Sequence, residues 1–182
     1  NLGDDYNVTY GYDATGRFNS LAWNAAGSFN SATYSFVNNS NLLQQLTTGN
    51  GLRTTYQYEP NRDLRTQIKN EYGTNLISQY DYGYDELGRR TSVANSGQAF
   101  VTSAFNRFGY EDRNQLTESS RYTGSDINDL SSPLQPEYRS YTYDPIGNRL
   151  NATGWDKGVD SSEVATYAAN SLNQYSQITA NN

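Results

Sequence analysis

Aromatic residues recur in pairs two positions apart, each pair followed by an acidic or polar residue and then a turn signal. Tyr10-Gly11-Tyr12-Asp13 leads to Gly16-Arg17-Phe18, Tyr82-Gly83-Tyr84-Asp85 to Gly88-Arg89-Arg90, and Tyr141-Thr142-Tyr143-Asp144 to Gly147-Asn148-Arg149-Leu150. Less regular copies keep the frame: Tyr34/Phe36 before Asn41-Leu42, Tyr56/Tyr58/Glu59 before Leu64, Phe108/Tyr110/Glu111 before Leu116, and Tyr167/Ala169/Asn170 before Asn173 and Tyr175. The second aromatic, or its stand-in, falls at residues 12, 36, 58, 84, 110, 143 and 169, at spacings of 24, 22, 26, 26, 33 and 26. A period of this size sustained along a chain marks a repeat architecture. Residues 1–182 are therefore expected to form a single array of about seven repeats. The one long interval contains Gly124–Pro136, rich in Ser, Asp, Asn and Pro, and reads as a surface-loop insertion.

Each copy reads as a β-hairpin. Rings two residues apart project from the same face of a strand. An Asp can accept backbone amides beyond it, and a Gly three residues later takes the positive φ that a tight turn or bulge requires. The return segments alternate again, as in Arg17-Phe18-Asn19-Ser20-Leu21 and Arg89-Arg90-Thr91-Ser92-Val93. Gly27, Asn50, Gly51, Gly73, Gly97 and Gly154 lie between copies, where the turns at the opposite end are expected, and Trp23 and Trp155 each begin such an inter-unit stretch. The predicted fold is all-β: tandem hairpins in a curved antiparallel strip of ten to fourteen strands, with Tyr12, Tyr58, Tyr84, Tyr110 and Tyr143 forming a ladder on one face. A helical reading fails, because Gly, Asn and Thr interrupt every window of helical period. A Tyr-rich sandwich or barrel without a true repeat is the competing architecture.

Composition sharpens this picture. Only 35% of residues are hydrophobic and 17 are Tyr, so tyrosine rings must supply much of the buried area while their hydroxyls keep polar partners. The net charge of −6 gives no basic footprint for nucleic acid. No stretch approaches the roughly 18 apolar residues of a membrane span, so neither nucleic acid nor membrane insertion is expected. The absence of Cys and His removes disulfides, thiolate sites and the commonest metal ligand and general base. No cofactor is implied.

The phrase Tyr-x-Tyr-Asp-x-x-Gly-Arg resembles the YD repeat of bacterial RHS proteins, toxin-complex shell components and animal teneurins. Tyr82–Val93 and Tyr143–Leu150 carry the resemblance best, and Asn170-Ser171-Leu172-Asn173-Gln174-Tyr175 is similar to a phrase of large RHS wall-associated proteins. The resemblance implies a β-sheet strip that winds into a spiral shell, which in several relatives encloses a toxic polypeptide. It also implies a secreted or cell-surface bacterial protein. It further implies a distinct core-terminal motif, often an Asp-Pro-x-Gly-x stretch followed by a self-cleavage site. Asp144-Pro145-Ile146-Gly147 is the nearest match, but it lies inside a repeat with ordinary units after it, so autoproteolysis is not carried over.

Tyr10, Tyr12, Asp13, Gly16, Arg17, Tyr82, Tyr84, Asp85, Gly88, Arg89, Tyr141, Tyr143, Asp144 and Gly147 are thus read as repeat-defining structural residues. Arg17, Arg89 and Arg149 are expected to pair with Asp13, Asp85 and Asp144 or to stack on tyrosines. Three carboxylate clusters are the only candidates for acid–base chemistry: Asp4-Asp5, Asp81 with Asp85-Glu86, and Glu111-Asp112. Their turn positions explain Asp85 and Glu111 without it. Asp126-Ile127-Asn128-Asp129 has oxygen ligands at a spacing calcium could use, but lacks the glycine and distal Glu of an EF-hand, so a solvated loop is expected. Three sequons, at Asn7, Asn38 and Asn151, are frequent enough by chance in an Asn-rich chain. The expected role is a non-catalytic shell or scaffold segment, enclosing a polypeptide or contacting a cell surface. The alternative is a carbohydrate-binding module with Trp23 and Trp155 as glycan contacts. The outer strand regions, Asn7–Tyr10 and Tyr175–Thr179, carry no Lys or Pro, which leaves them open to pairing with adjacent repeats or with another copy.

Overall fold

The computed structural model describes residues 6–25, 28–156 and 161–181. Among these residues the chain is all-β, with fourteen strands in one sheet whose order follows the chain from β1 to β14. They are β1 (Tyr6–Tyr12), β2 (Phe18–Ala25), β3 (Ser28–Phe36), β4 (Leu43–Thr48), β5 (Leu52–Tyr58), β6 (Arg65–Tyr72), β7 (Asn75–Tyr84), β8 (Arg90–Ser96), β9 (Ala104–Tyr110), β10 (Leu116–Thr123), β11 (Arg139–Tyr143), β12 (Arg149–Asp156), β13 (Ser161–Ala169) and β14 (Tyr175–Asn181). A single 3-10 turn, Gln135–Glu137, precedes β11. Two compact units divide the chain: Asn1–Asp81 with Ser96–Val101, and Tyr82–Asn95 with Thr102–Asn182.

Six hairpins have the same internal register. The second aromatic position faces the first residue of the return strand, as in Tyr12↔Phe18, Phe36↔Leu43, Tyr58↔Arg65, Tyr110↔Leu116, Tyr143↔Arg149 and Ala169↔Tyr175. The next pair skips one return-strand residue, as in Gly11↔Ser20, which leaves Asn19 as a bulge. A β-bulge adds local twist and leaves its extra residue unpaired. Alternation in the sequence gives no sign of it.

Register between hairpins is equally uniform. Ser20↔Thr33, Gln45↔Thr55, Gln67↔Asp81, Ser92↔Arg107, Glu118↔Ser140 and Asn151↔Thr166 all pair the residue two after the return strand begins with the residue three before the second aromatic. The connections at this end differ in length while the register does not. Asn50-Gly51 and Gly73 sit in short turns, with Gly51 at φ +92° and Gly73 at φ +60°. Gly154, expected in such a turn, instead lies within β12, paired with Arg139 and Glu163. A Cβ there would meet the Arg139 side chain at 3.0 Å, so the glycine makes room for that arginine to lie across the sheet. Gly27 falls outside the described residues. Trp23 does not begin an inter-unit stretch; it sits in β2 opposite Val8 and Asn30. Trp155 likewise lies in β12, opposite Ser162.

The insertion folds back on its own unit. The Thr123 amide donates to the Ser132 carbonyl (3.0 Å) and the Leu134 amide to that of Arg121 (2.7 Å), while the Arg107 guanidinium donates to the Ile127 carbonyl (2.8 Å).

Buried apolar side chains are few. Ala32, Ala104 and Phe105 are buried, and Phe105, stacked on Tyr122 at 5.2 Å, is the one large side chain wholly removed from solvent among the described residues. Glu71, Ser78, Ser92, Asn95 and Ser120 are buried polar residues within the sheet. Most described tyrosines are half-buried.

Gly97 has φ +108°, and a Cβ there would lie 2.7 Å from the Ile77 carbonyl oxygen. Gly73, also at positive φ, has nothing within 4 Å. Gly97→Ala is expected to destabilise by on the order of 1–3 kcal/mol through backbone strain, with the clash added. Gly73→Ala should cost about 1 kcal/mol. Urea unfolding of the two variants checks the order.

Candidate functional site

The site is the hairpin turn together with the contacts it sends to neighbouring hairpins. Asp13 builds the turn from both its backbone and its side chain. Its amide donates to the Arg17 carbonyl (2.8 Å) and its carbonyl accepts the Gly16 amide (2.9 Å). Its Oδ1 accepts the amides of Thr15 and Arg17, both at 2.9 Å, and its Oδ2 accepts Arg17 Nε at 2.7 Å. Gly16 closes the turn at φ +82°. This is a type I turn followed by a left-handed residue, one of the common hairpin connections. Asp85 repeats the geometry with Gly88 and Arg89, and Asp144 with Gly147 and Asn148. Asn170 does the same with an amide oxygen, accepting the amides of Leu172 (2.9 Å) and Gln174 (3.0 Å). Where glycine is missing, Asn114 and Asn173 adopt the positive φ.

The residue after the left-handed position reaches forward. Arg17 donates to the Ser40 carbonyl and lies 4.6 Å over the Phe36 ring. Arg89 donates to the Glu111 carbonyl (3.2 Å) and to Asn114 Oδ1 (2.9 Å), and lies 4.8 Å over Tyr110. Gln115, at the same position, still donates to the Gly147 carbonyl at 3.2 Å. The second tyrosine reaches backward, its hydroxyl donating to the carbonyl that opens the preceding return strand. These bonds are Tyr58 to Leu43 (2.8 Å), Tyr110 to Arg90 (2.9 Å) and Tyr143 to Leu116 (2.8 Å). Tyr12 stands in β1, with no earlier strand among the described residues. Tyr12 is 64% exposed and Tyr10 61%.

A second arginine position stacks on its own hairpin, and at Arg149 it also lies 5.7 Å from the Tyr167 ring of the next. Arg65, Arg90 and Arg149, each first in a return strand, lie over the first aromatics Tyr56 (4.7 Å), Tyr82 (4.5 Å) and Tyr141 (4.6 Å). Of the two arrangements expected for Arg149, stacking on a tyrosine holds and pairing with Asp144 does not. Arg149 is the counterpart of Arg90, and Asn148, one residue earlier, holds Asp144. Asn148 is too short to reach the next hairpin.

These contacts fix the charge state of the turn acids. The Thr15 hydroxyl, with the Arg17 amide and guanidinium, holds the Asp13 carboxyl well below the usual range. Desolvation pushes Asp85 and Asp144 up, but the hydrogen bonds from Arg89 and Asn148 together outweigh it, and both are lowered. Several other candidate acids are also engaged. Asp81 accepts Gln67 (2.7 Å) and Gln79 (2.8 Å), and Glu111 pairs with Arg113 at 3.1 Å. Asp126 and Asp129 accept amides of their own loop, from Asn128 and Ser131. Asp4-Asp5 lies outside the described residues, as does the Trp155 side chain. Trp23 is half-buried in its strand. Among the described residues no three acids cluster as a metal site, and no helix is long and apolar enough to cross a membrane.

Neither a family profile nor a curated protein sequence matches the chain. Solved structures do. A TcdB2-TccC3-Cdc42 crystal structure superposes with TM-score 0.72 at 19% identity over 92% of this chain. A Tc holotoxin pore of Photorhabdus luminescens gives 0.71 at 18% over 95%. The chain has the RHS-repeat fold. It spans 9% of each of those two chains. Within this fold the sequence pattern located the turn acids, but neither the bulge nor the backward tyrosine bond.

Two outcomes test the site. Arg89→Lys keeps the charge but loses the planar face over Tyr110 and the forked donors, and is expected to cost roughly 1 kcal/mol in chemical unfolding. The lowered acids set the pH dependence. Their folded pKa values lie below the unfolded value of about 3.9, so their stabilisation is complete above it and lost as pH falls through the folded values. The melting temperature should therefore hold from pH 7 to about 5 and fall below about pH 4. Asp85→Asn with Asp144→Asn should flatten that fall, because an amide oxygen serves the turn as Asn170 does.

Proposed function

We propose that the chain is a non-catalytic wall segment of a secreted or cell-surface bacterial protein of RHS type, building shell or scaffold within a longer polypeptide. Residues 1–182 then act as one array of about seven repeats, with the loop near 124–136 as its decoration. The observation that carries this reading is the identical register at six hairpin junctions whose connecting turns differ in length. A sheet that holds one pitch through changing loops is suited to extension, each hairpin supporting the next. The carboxylates support it too, since turn amides and arginines hold Asp13, Asp85 and Asp144 ionised. A general acid or base works best with a pKa near the operating pH.

In the parent polypeptide, such a wall would enclose a polypeptide or present a surface to a cell. Titration against a glycan array, with Trp23→Ala and Trp155→Ala as controls, tests the reading. No saturable binding and no turnover of polysaccharide are expected. Tight binding lost in the tryptophan variants would replace the wall with a carbohydrate-binding module.

A further inference from the structure

Two grooves lie between successive hairpin turns of the first unit. Thr15, Arg17, Asn38 and Ser40 help to line the first, and Arg17 crosses it to the Ser40 carbonyl and the Phe36 ring. The second, of about 540 Å³, lies between the turns after Phe36 and Tyr58, with Ser40, Leu42, Tyr56, Tyr58, Glu59 and Asp63 among its lining residues. Leu42 stands there where Arg17 stands in the first. Its carbonyl accepts the Val37 amide (2.8 Å) as the Arg17 carbonyl accepts that of Asp13, and each residue immediately precedes a return strand. A leucine has no donor to send across the groove. The receiving side is nonetheless intact. The Tyr58 hydroxyl keeps its backward bond to the Leu43 carbonyl. Asp63 takes the left-handed position at φ +54°, two residues before its return strand. That is the place of Asn114, whose Oδ1 accepts Arg89 at 2.9 Å. Among the described residues, no ion pair or hydrogen bond engages the Asp63 carboxylate, and the other non-glycine residues at positive φ are asparagines. The neighbouring Glu59 carboxylate is taken by Arg62, at 2.7 and 2.8 Å. Arg65 stacks on Tyr56 at 4.7 Å, stands 5.8 Å from the centre of the Tyr58 ring and does not line the groove.

We propose that this second groove is a binding site for a guanidinium group, supplied by an arginine side chain of a polypeptide partner. The guanidinium lies over the Tyr58 ring as Arg89 lies over Tyr110, and donates to Asp63 as Arg89 donates to Asn114. Its methylene stem rests on Leu42. A carboxylate makes a stronger, charge-assisted pair with a planar cation than an amide does, which gives Asp63 a role that asparagine or glycine would not fill. At two other junctions an arginine of the chain itself occupies the corresponding place, so a polypeptide arginine has the reach and shape the groove requires. The net charge of −6 also favours a cationic partner. This site depends on the geometry of the junction and not on what a wall encloses.

N-acetyl-arginine methylamide stands in for such a side chain. In a nuclear magnetic resonance titration of the whole chain it should give saturable shifts at the backbone amides of Leu42, Glu59 and Asp63. The lysine counterpart, without the planar face and forked donors, should bind about threefold to tenfold more weakly. Free L-arginine, with its charged ends, should bind no more tightly than the capped form. Asp63→Gly keeps the left-handed turn, as Gly16 and Gly88 do, and should weaken binding about threefold to fivefold. Leu42→Arg fills the groove from within. It should weaken binding of the added arginine at least about tenfold and raise the melting temperature by about 2–4 °C. The proposal is overturned by the absence of saturable shifts at these amides, by equal binding of the arginine and lysine forms, or by tighter binding of free arginine. Undiminished binding in Asp63→Gly or in a folded Leu42→Arg overturns it as well.

Discussion

The turn of each hairpin sets the register that the rest of the sheet repeats, and the turn carboxylate is its most explicit form. Asp13 Oδ1 takes two backbone amides at 2.9 Å, which fixes the number of residues between the strands and places the left-handed residue. With turn length fixed, the return strand begins opposite the second aromatic, and the following bulge is fixed as well. The carbonyl opening the return strand then stands where the next hairpin's tyrosine hydroxyl can reach it, as Tyr110 reaches Arg90 at 2.9 Å. An isolated hairpin is marginal in water, and buried apolar side chains here are few. Stability must therefore come largely from contacts between successive hairpins, each worth about 1 kcal/mol or less but repeated.

That dependence explains what the sequence discloses. The Asp-x-x-Gly spacing and the tyrosine pairs are imposed by local geometry, so the turns at Asp13, Asp85 and Asp144 can be read directly. Strand count and order follow from the period. The bulge leaves no mark, because a residue such as Asn19 needs no special chemistry to stand unpaired. Arg149 stacks on Tyr141, one of its two expected arrangements, and leaves Asp144 to Asn148, because it stands one residue later in the turn than Arg17 and Arg89. Phe105 was invisible for another reason. Its complete burial depends on Tyr122 and the surrounding strands, not on any motif of its own.

Degenerate copies show which parts of the motif are chemical and which are positional. Asn170 replaces aspartate because the turn needs an oxygen rather than a charge. Asn114 and Asn173 replace glycine because asparagine tolerates the left-handed region better than most residues. Gln115 replaces arginine and still reaches a carbonyl, but it cannot stack over a ring. The hairpin beginning at Phe36 has lost the turn acid and the arginine, yet it keeps the register. Geometry therefore outlasts the residues that announce it, which is why chains at 18 or 19% identity superpose over most of this one.

The clamp also gives the sheet a direction. Tyrosine hydroxyls point back along the chain and arginine heads point forward, so reversing one hairpin would separate every donor from its acceptor. The Tyr110 hydroxyl reaching back to Arg90 and the Arg89 guanidinium reaching forward to Glu111 therefore give successive hairpins one order along the chain.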